Sequence, residues 1–331
     1  MRIPRLTFFQ LFILPISYLL FATTSSPAAG DWSIVRIKDQ EYVTATNAAT
    51  FYNMESFVRK GNDRLFQRPD INMKWTIGTQ LIYVNEVKFN LSLPVVEYKG
   101  HALISTTDLV KLIDPVVRPN YISKSFDFDT VVIDPGHGGI DSGAKGRRGL
   151  EKDYNLDLSL RLKAELEKRG FRTVMTRSND SFITLAQRVA IANAQRRAIF
   201  ISIHYNSSGT RSASGVETFA LAPQGTAPTH KDPKSALPSS LNGNAQDAAN
   251  IALATAVHAH VILAFNPVDR GIKRGTFQVL RGINKPAILY EGGFLTNPTE
   301  EAKIHHPAYR QHTALTIATA IEKFKSVVAH R

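Results

Sequence analysis

Three stretches of the chain differ in their pattern of apolar and polar positions, and the first contains an apolar run near the N-terminus. Residues 6–22 are almost entirely apolar, two arginines precede them, and small residues follow them. This order is typical of a secretory signal peptide over residues 1–30, with cleavage at small residues such as Ala28 and Gly30. An uncleaved anchor is the alternative, because the run nearly reaches the length of a short membrane span. No later run approaches that length, so no stable membrane span is expected after cleavage.

Short runs of alternating or β-branched residues follow over residues 31–121 and predict a small β-rich domain. Ser105 opens a short helical pattern that reaches Ile113. Residues 115–129 form a polar, proline-containing connection, and we place the domain boundary near 122–128. The strands predicted before this connection are Trp32–Ile37, Glu41–Thr44, Lys74–Thr76, Gln80–Val84 and Val87–Leu91.

From Val131 onward, strand and helix patterns alternate, which predicts an α/β domain over residues 129–329. The expected architecture is a mostly parallel twisted sheet flanked by helices, with the small β-rich domain before it. The predicted strands are Val131–Ile133, Phe171–Thr176, Ala198–His204, Val216–Leu221, Phe277–Leu280 and Ala287–Glu291. The predicted helices are Glu151–Arg169, Leu185–Arg196, Ala245–Ala264 and Ala308–Val328.

One long segment interrupts this alternation. Residues 223–244 are rich in Pro, Ser, Gly and Asn. A stretch of this length without an element of its own is usually a functional lid or a disordered insertion. His230 lies within it, and a lone histidine in such a loop is more often solvated than a ligand.

Composition narrows the chemistry that the chain can perform. The 331 residues contain no cysteine, which excludes disulfides, cysteine-bound zinc and thiol catalysis, so a metal must be held by His, Asp or Glu. The net charge of +12 falls to +10 when the two leader arginines are removed. A basic exported protein favours an anionic partner. No basic run with interleaved aromatic residues points to nucleic acid, so an anionic cell-wall polymer fits better.

Reactive side chains stand where three of the predicted strands end. His137 lies in a glycine-rich turn after Val131–Ile133, His204 ends a second strand and Glu291 ends a third. In an open parallel sheet these ends gather along one edge, where Glu151 begins a helix. Two histidines and one carboxylate are a common ligand set of a catalytic zinc, and the remaining carboxylate can act as general base on a water. The residues alone leave the roles of Glu151 and Glu291 interchangeable.

Other interpretations of the same residues are open at this point. Each histidine taken alone is more often packed or hydrogen-bonded than a ligand, and no tight metal-binding motif is present. The glycine-rich turn could cradle a phosphate, but Lys145 is followed by Gly146, so the G-x-x-x-x-G-K-[ST] pattern is not formed. No G-x-S-x-G elbow occurs, which weakens the case for a serine hydrolase.

Several segments together resemble the zinc-dependent N-acetylmuramoyl-L-alanine amidases with a type 3 catalytic domain, which are cell-wall amidases. The resemblance spans residues 130–328, essentially the whole predicted α/β domain. The segments that carry it are VVIDPGHGGIDSGAKG, LEKDYNL, RVAIANAQRRAIFISIHYNSS, GVETF and DRGIKRGTFQVLRGINKPAILYEGGFLTNPTEE.

The resemblance implies a role for each candidate residue. His137, Glu151 and His204 match the ligands of one Zn²⁺, and Glu291 matches the family's catalytic glutamate. Asn206 follows the third ligand, and there a substrate contact and a plain turn residue are about equally expected.

The resemblance also implies a substrate and a setting. The expected reaction is hydrolysis of the amide between the lactyl group of N-acetylmuramic acid and L-alanine of the stem peptide, for wall remodelling or daughter-cell separation. Peptidoglycan is then the partner, with a divisome or envelope activator protein as a further one. A monomer in the periplasm or cell wall is expected. The rival interpretations are a non-catalytic wall-binding or activator protein on this scaffold and an exported metallopeptidase.

Two further hypotheses concern the segments outside the site. Residues 31–121 loosely resemble the small copper amine oxidase N-terminal-like domain, often an accessory module on exported wall enzymes. The resemblance suggests a positioning or wall-binding role, and plain structural packing is the alternative. Some members of the amidase family carry an inhibitory segment where residues 223–244 lie here, so autoinhibition by that insertion is a hypothesis.

Overall fold

The computed structural model describes residues 32–119, 122, 127–236 and 239–329. The predicted leader over residues 1–30 lies outside the described residues, as does most of the predicted boundary at 122–128. From Ser33 onward the chain forms one contact unit. The division into a domain over 31–121 and a domain over 129–329 stays a prediction.

A large sheet forms the frame of the described residues. In spatial order its eleven strands are β11 (Arg172–Met175), β10 (Thr130–Pro135), β12 (Ala198–Asn206), β15 (Ala287–Phe294), β13 (Val216–Leu221), β14 (Asp269–Gly275), β7 (Val87–Asn90), β6 (Leu81–Val84), β5 (Ile71–Thr76), β4 (Asp63–Arg68) and β3 (Ser56–Lys60). Strands β10, β11, β12 and β15 are mutually parallel, whereas β13 is antiparallel to β15 and parallel to β14.

A second sheet and the helices complete the described elements. The four strands of this sheet are β1 (Ile34–Ile37), β2 (Gln40–Thr44), β9 (His101–Ser105) and β8 (Val96–Tyr98). The helices are α1 (Ala45–Phe51), α2 (Thr106–Asp108), α3 (Asp114–Val117), α4 (Glu151–Lys168), α5 (Leu185–Asn193), α6 (Asp247–Phe265), α7 (Gln278–Gly282), α8 (Pro298–His305) and α9 (Pro307–Ala329). A π-helical turn, Leu109–Ile113, joins α2 to α3, and 3-10 turns cover Pro233–Ser235 and Asn242–Gln246.

Helices cover both faces of the central strands, which explains the continuous apolar runs in the sequence. On one face, Val132, Phe200 and Leu289 of three neighbouring strands pack with Ala192 of α5 and Leu280 of α7. On the other face, α4 packs on β10 and β12, α6 packs on β13 and β15, and α9 packs on both helices. The predicted α/β architecture is therefore confirmed.

One strand predicted from the sequence lies at other residues in the structure. The predicted strand Phe277–Leu280 is wrong, because its residues lead into helix α7. The strand lies just before it, as β14, and its sequence DRGIKRG shows no apolar alternation. Lys273 and Arg274 of β14 are buried all the same, because their charged groups find partners inside the protein. A mostly apolar run of four residues is too short for its period to separate helix from strand.

Among the described residues, one helical segment is long and apolar enough to cross a membrane by length and composition, Asn242–Phe265, which contains α6. This corrects the expectation that no run after the leader approaches the length of a membrane span. Because α6 packs against β13, β15 and α9, its apolar composition is that of a core helix in the described part of the chain.

Arg274 joins three parts of the fold at the edge where β14 meets β7. Its guanidinium donates to the carbonyl oxygen of Asn90 in β7 and, at 2.8 Å, to that of Ala227 in the 223–244 insertion. The insertion also contacts β14 through the Thr229 N–H, which donates to the Arg274 carbonyl at 3.0 Å. Burial lowers the pKa of Arg274 to about 10, and the negative charge of Asp108 opposes that shift. The side chain thus stays a cation at neutral pH.

We expect Arg274→Leu to lower the free energy of unfolding by about 2–4 kcal/mol, because two buried carbonyls lose their donor and each unsatisfied group costs about 1–3 kcal/mol. Urea denaturation followed by tryptophan fluorescence measures the change. Arg281→Leu on the exposed side of α7 is the matched control and should change stability little. An unchanged midpoint for Arg274→Leu would contradict the assigned contact.

Candidate metal centre

His137 lies in the tight turn that follows β10. The backbone φ angles of His137, Gly138 and Gly139 are 61°, 127° and 57°. Glycine enters this left-handed region freely, whereas a histidine does so only at some cost in energy. A Cβ atom on Gly138 would collide with the backbone oxygen of Ser181. The glycines are therefore required for the turn that presents the imidazole.

Two buried arginines fix this turn through its carbonyl oxygens. Arg188 donates to the carbonyls of Pro135 and His137, both at 2.7 Å, and forms an ion pair with buried Asp134 at 2.6 Å. Arg177 donates to the same Pro135 carbonyl at 2.9 Å. The carbonyl oxygens of the turn cannot pair with a neighbouring strand, and the two arginines supply their hydrogen-bond donors instead. The backbone of His137 is held in place by these bonds.

Glu151 is the first residue of α4 and is buried. Its Oε2 accepts the Ala144 N–H at 2.8 Å, and its Oε1 accepts the Tyr205 N–H at 3.3 Å and the Asn155 amide at 3.2 Å. The helix N-terminus also favours a negative charge at this position. A Cβ on Gly143 would lie 2.6 Å from Glu151 Oε2, so the chain can fold back over the carboxylate only with glycine there.

His204, near the end of β12, completes a cluster with His137 and Glu151. The Oε1 atom of Glu151 lies 3.1 Å from His137 Nε2 and 2.9 Å from His204 Nδ1. One potential ligand atom from each residue lies within 4.8 Å of the others. A Cβ on Gly136 would clash with the His204 ring, so the first turn leaves room for the second imidazole. The three residues that the sequence predicted as ligands are thus brought together.

The charges of the cluster depend on one another. Burial alone would raise the pKa of Glu151, but hydrogen bonds from His137 and His204 and their positive charge hold that pKa well below its usual range. Burial alone would lower the pKa of His137, but Glu151 and Asp141 raise it. The carboxylate that raises the pKa of His137 attracts a divalent cation for the same reason, so metal and protons compete for this site.

Asp141 orients His137 and was not found from the sequence. Its Oδ2 lies 2.9 Å from His137 Nδ1. An imidazole that donates Nδ1–H to this carboxylate keeps Nε2 free for a metal, and such an outer partner also raises the basicity of the ligand. The sequence signal was an aspartate four residues after the histidine, but that spacing has no meaning until the turn is known.

Glu291 lies beside the cluster with an unusual environment. In the sheet register it stands opposite His204 of β12 and Glu217 of β13. Its Oε2 is buried and has no hydrogen-bond partner among the described residues. Burial raises the pKa of Glu291 well above its usual range, the negative charges of Glu151 and Glu217 raise it further, and Lys273 opposes them. A buried carboxyl with a raised pKa can both accept and return a proton.

Asn206 and His230 stand differently from the cluster. The Asn206 amide donates to Glu217 Oε1 at 2.7 Å, and its Oδ1 accepts the Ser207 N–H at 2.9 Å, so both ends of the amide are used within the protein. The role of Asn206 in substrate binding stays a prediction. His230 is exposed and does not belong to the metal cluster.

A cleft of about 510 Å³ opens beside the cluster. Its polar walls include His137, His204 and Glu291, and its apolar walls include Phe182 and Phe277. None of the described residues of the 223–244 insertion lines it.

The residues present fit a catalytic metal. Two imidazoles and one carboxylate are the donor set of many hydrolytic zinc sites, which keep one position open for water. The fourth group, Glu291, is held outside the ligand set with a free buried oxygen. The arrangement supports metal-assisted hydrolysis with a separate proton carrier.

Comparison with known proteins identifies similar chains. Residues 131–323 match the N-acetylmuramoyl-L-alanine amidase family. The amidase LytC of Bacillus subtilis (strain 168) is 32% identical over 189 residues, which is 57% of this chain and 34% of LytC. The amidase AmiA of Escherichia coli (strain K12) is 30% identical over 248 residues, covering 66% of this chain and 83% of AmiA. The crystal structure of the N-acetylmuramoyl-L-alanine amidase from Clostridium difficile 630 matches with a TM-score of 0.51 and 32% identity, covering 61% of this chain and 98% of that one.

We expect Asp141→Asn to weaken the binding of a divalent metal by about 10–100-fold, because His137 loses the partner that fixes its ring and its tautomer. Competition with a chromogenic chelator measures the affinity. Asp70→Asn is the control, since Asp70 is an exposed carboxylate paired with Arg68. If Asp141→Asn bound metal as the unmodified chain does, Asp141 would not orient a ligand.

Proposed function

The chain belongs to the N-acetylmuramoyl-L-alanine amidase family, and we propose that it hydrolyses its peptidoglycan substrate with one Zn²⁺ held by His137, Glu151 and His204 and with Glu291 as the proton carrier. The bond cleaved is the amide between N-acetylmuramic acid and L-alanine. The observation that carries this assignment is the three-residue cluster together with a buried oxygen of Glu291 that has no hydrogen-bond partner in the described part of the chain.

The chain's own residues divide the work of this reaction. When bound, zinc supplies a Lewis acid that polarises the scissile carbonyl and makes a water acidic enough to lose a proton and attack it. His137, Glu151 and His204 hold the metal, and Asp141 and the arginines behind the turn keep the first ligand in place. Glu291 takes a proton from the attacking water and returns one to the nitrogen of L-alanine as the amide C–N bond breaks. The products are a lactyl carboxylate on the glycan and a stem peptide with a free amine.

We also propose a location and partners for the protein. Arg2, Arg5 and the apolar run that follows them support export, which would bring the enzyme to the periplasm or the cell wall. The net positive charge supports contact with an anionic wall polymer. A monomer recruited by an envelope or divisome activator is the proposed state, and residues 31–121 are proposed to position the catalytic part on the wall.

We expect Glu291→Gln to keep its zinc and to lose about 10²–10⁴-fold in turnover, the usual contribution of a positioned acid or base. Stem-peptide release from purified peptidoglycan measures turnover, and elemental analysis measures zinc. Glu97→Gln on exposed β8 is the matched control and should behave as the unmodified enzyme does. Unchanged turnover for Glu291→Gln would show that another group carries the proton.

A pH profile tests the environment of Glu291 through Lys273. Lys273 lowers the pKa of Glu291, so its removal raises that pKa, and the basic carboxylate is then lost at a higher pH. We therefore expect Lys273→Met to move the acidic limb of the kcat/KM profile toward higher pH. Lys285→Met, before the opposite end of β15, should leave the limb in place. A limb that moved to lower pH would contradict the assigned electrostatics.

A further inference from the structure

A second cleft, of about 210 Å³, carries unpaired positive charge, and most of its lining residues lie only a few positions along the chain from Glu151, His204 and Glu291. Lys145, Arg147 and Arg211 line it, and all three are exposed and form no ion pair within the described part of the chain. Glu301 is the one carboxylate among its described lining residues. That carboxylate is buried and accepts the Arg148 N–H at 2.5 Å, so it does not neutralise the surface cations. We call this the basic cleft.

The first wall of the basic cleft is a fixed hairpin rather than a free loop. Lys145 forms a β-bridge with Leu150, and the Gly146 N–H donates to the Gly149 carbonyl at 3.0 Å across the tip. Buried Glu301 of α8 fixes that tip by accepting the backbone N–H of Arg148. Because the backbone is fixed, the cations at the tip are presented at defined positions and lose less freedom when they bind an anion.

Both walls of the basic cleft lie close along the chain to residues of the metal cluster. On one wall, Lys145 directly follows Ala144, whose N–H holds Glu151 at 2.8 Å. On the other wall, Ser208 comes four residues after His204, a separation of at most about 14 Å along an extended chain. The Ser208 N–H donates to Thr296 Oγ1 at 3.0 Å, which ties this wall to the loop after β15.

The cations on β14 form ion pairs inside the protein, unlike those of the basic cleft. Glu217 forms ion pairs with both Lys273 and Arg270, the latter at 2.8 Å. Their charge is used inside the protein, whereas that of the basic cleft faces solvent. An anionic group of the substrate therefore meets unpaired cations on the side of the hairpin.

We propose that the basic cleft binds a carboxylate of the stem peptide on the leaving-group side of the scissile amide, an inference that rests on the proposed function. The glycan next to the scissile bond bears no charge, since its lactyl carboxyl is the amide itself. The first free carboxylate is the α-carboxylate of D-isoglutamate, the second residue of the peptide, about 7 Å from the scissile bond. Arginine binds a carboxylate through two parallel hydrogen bonds, and lysine adds a mobile charge.

The test compares two disaccharide pentapeptides that differ only in this group, one with D-isoglutamate and one with uncharged D-isoglutamine. The variant is Lys145→Gln/Arg147→Gln. The matched control is Lys60→Gln/Arg196→Gln, which also removes one exposed lysine and one exposed arginine but on β3 and after α5. Arg211→Gln tests the opposite wall separately. The readouts are kcat, KM and zinc content for each enzyme and substrate.

We expect the unmodified enzyme to prefer the acidic substrate by about tenfold in kcat/KM, mostly through KM, as for a partly exposed charge-assisted contact. The Lys145→Gln/Arg147→Gln variant should lose that preference while cleaving the amidated substrate as before, and Arg211→Gln should reduce it. The control should keep it. The preference should also shrink as ionic strength rises, because salt screens exposed charges.

Other results overturn the inference in distinguishable ways. If the unmodified enzyme cleaves both substrates equally well, or if the variant keeps the preference, the basic cleft does not bind this carboxylate although the amidase function stands. If poly(glycerol phosphate) inhibits the unmodified enzyme but not the variant, and no acid preference exists, the cleft binds a phosphate polymer instead. If neither substrate is cleaved, the proposed function fails and the inference fails with it.

Discussion

The buried carboxylate of Glu151 is the interaction on which the site depends. It brings two imidazoles, one from the turn after β10 and one from β12, to one oxygen atom, with His137 at 3.1 Å and His204 at 2.9 Å. Its own position is set by the Ala144 N–H and by the start of α4. Without this negative charge the two histidines would be neighbouring polar groups with no reason to converge. With it, they form a concentrated ligand set that favours a divalent cation.

The surrounding fold keeps that arrangement rigid. Parallel strands β10, β12 and β15 place the His137 turn, His204 and Glu291 at the same edge of the sheet. Arg188, which is paired with Asp134, and Arg177 then fix the turn by donating hydrogen bonds to its carbonyl oxygens. Leaving these buried oxygens without donors would lower the stability of the turn. The Oε2 atom of Glu291 is buried without a partner among the described residues, an environment that disfavours the charged carboxylate.

The sequence predicts the parts of this structure that follow from local patterns. Continuous apolar runs mark β10, β12 and β15, and the reactive residues at their ends point to one edge, so the cluster of His137, Glu151 and His204 could be anticipated. Strand β14 could not, because its buried Lys273 and Arg274 depend on partners far away in the chain. The same holds for Asp141, whose role exists only after three residues with positive φ reverse the backbone. The large sheet continues into β7 to β3 through the pairing of Ile272 in β14 with Phe89 in β7, and no pattern in the sequence predicts which strands pair there.

Mass spectrometry of peptidoglycan digested by the zinc-loaded protein, with and without a chelator, is the decisive test of metal-dependent amide hydrolysis. We expect glycan strands that carry free lactyl carboxylates and stem peptides that begin with a free L-alanine amine. Both products should disappear with the chelator and return when zinc is restored. Cleavage at another bond, or the same products in the presence of a chelator that has removed the metal, would contradict this expectation.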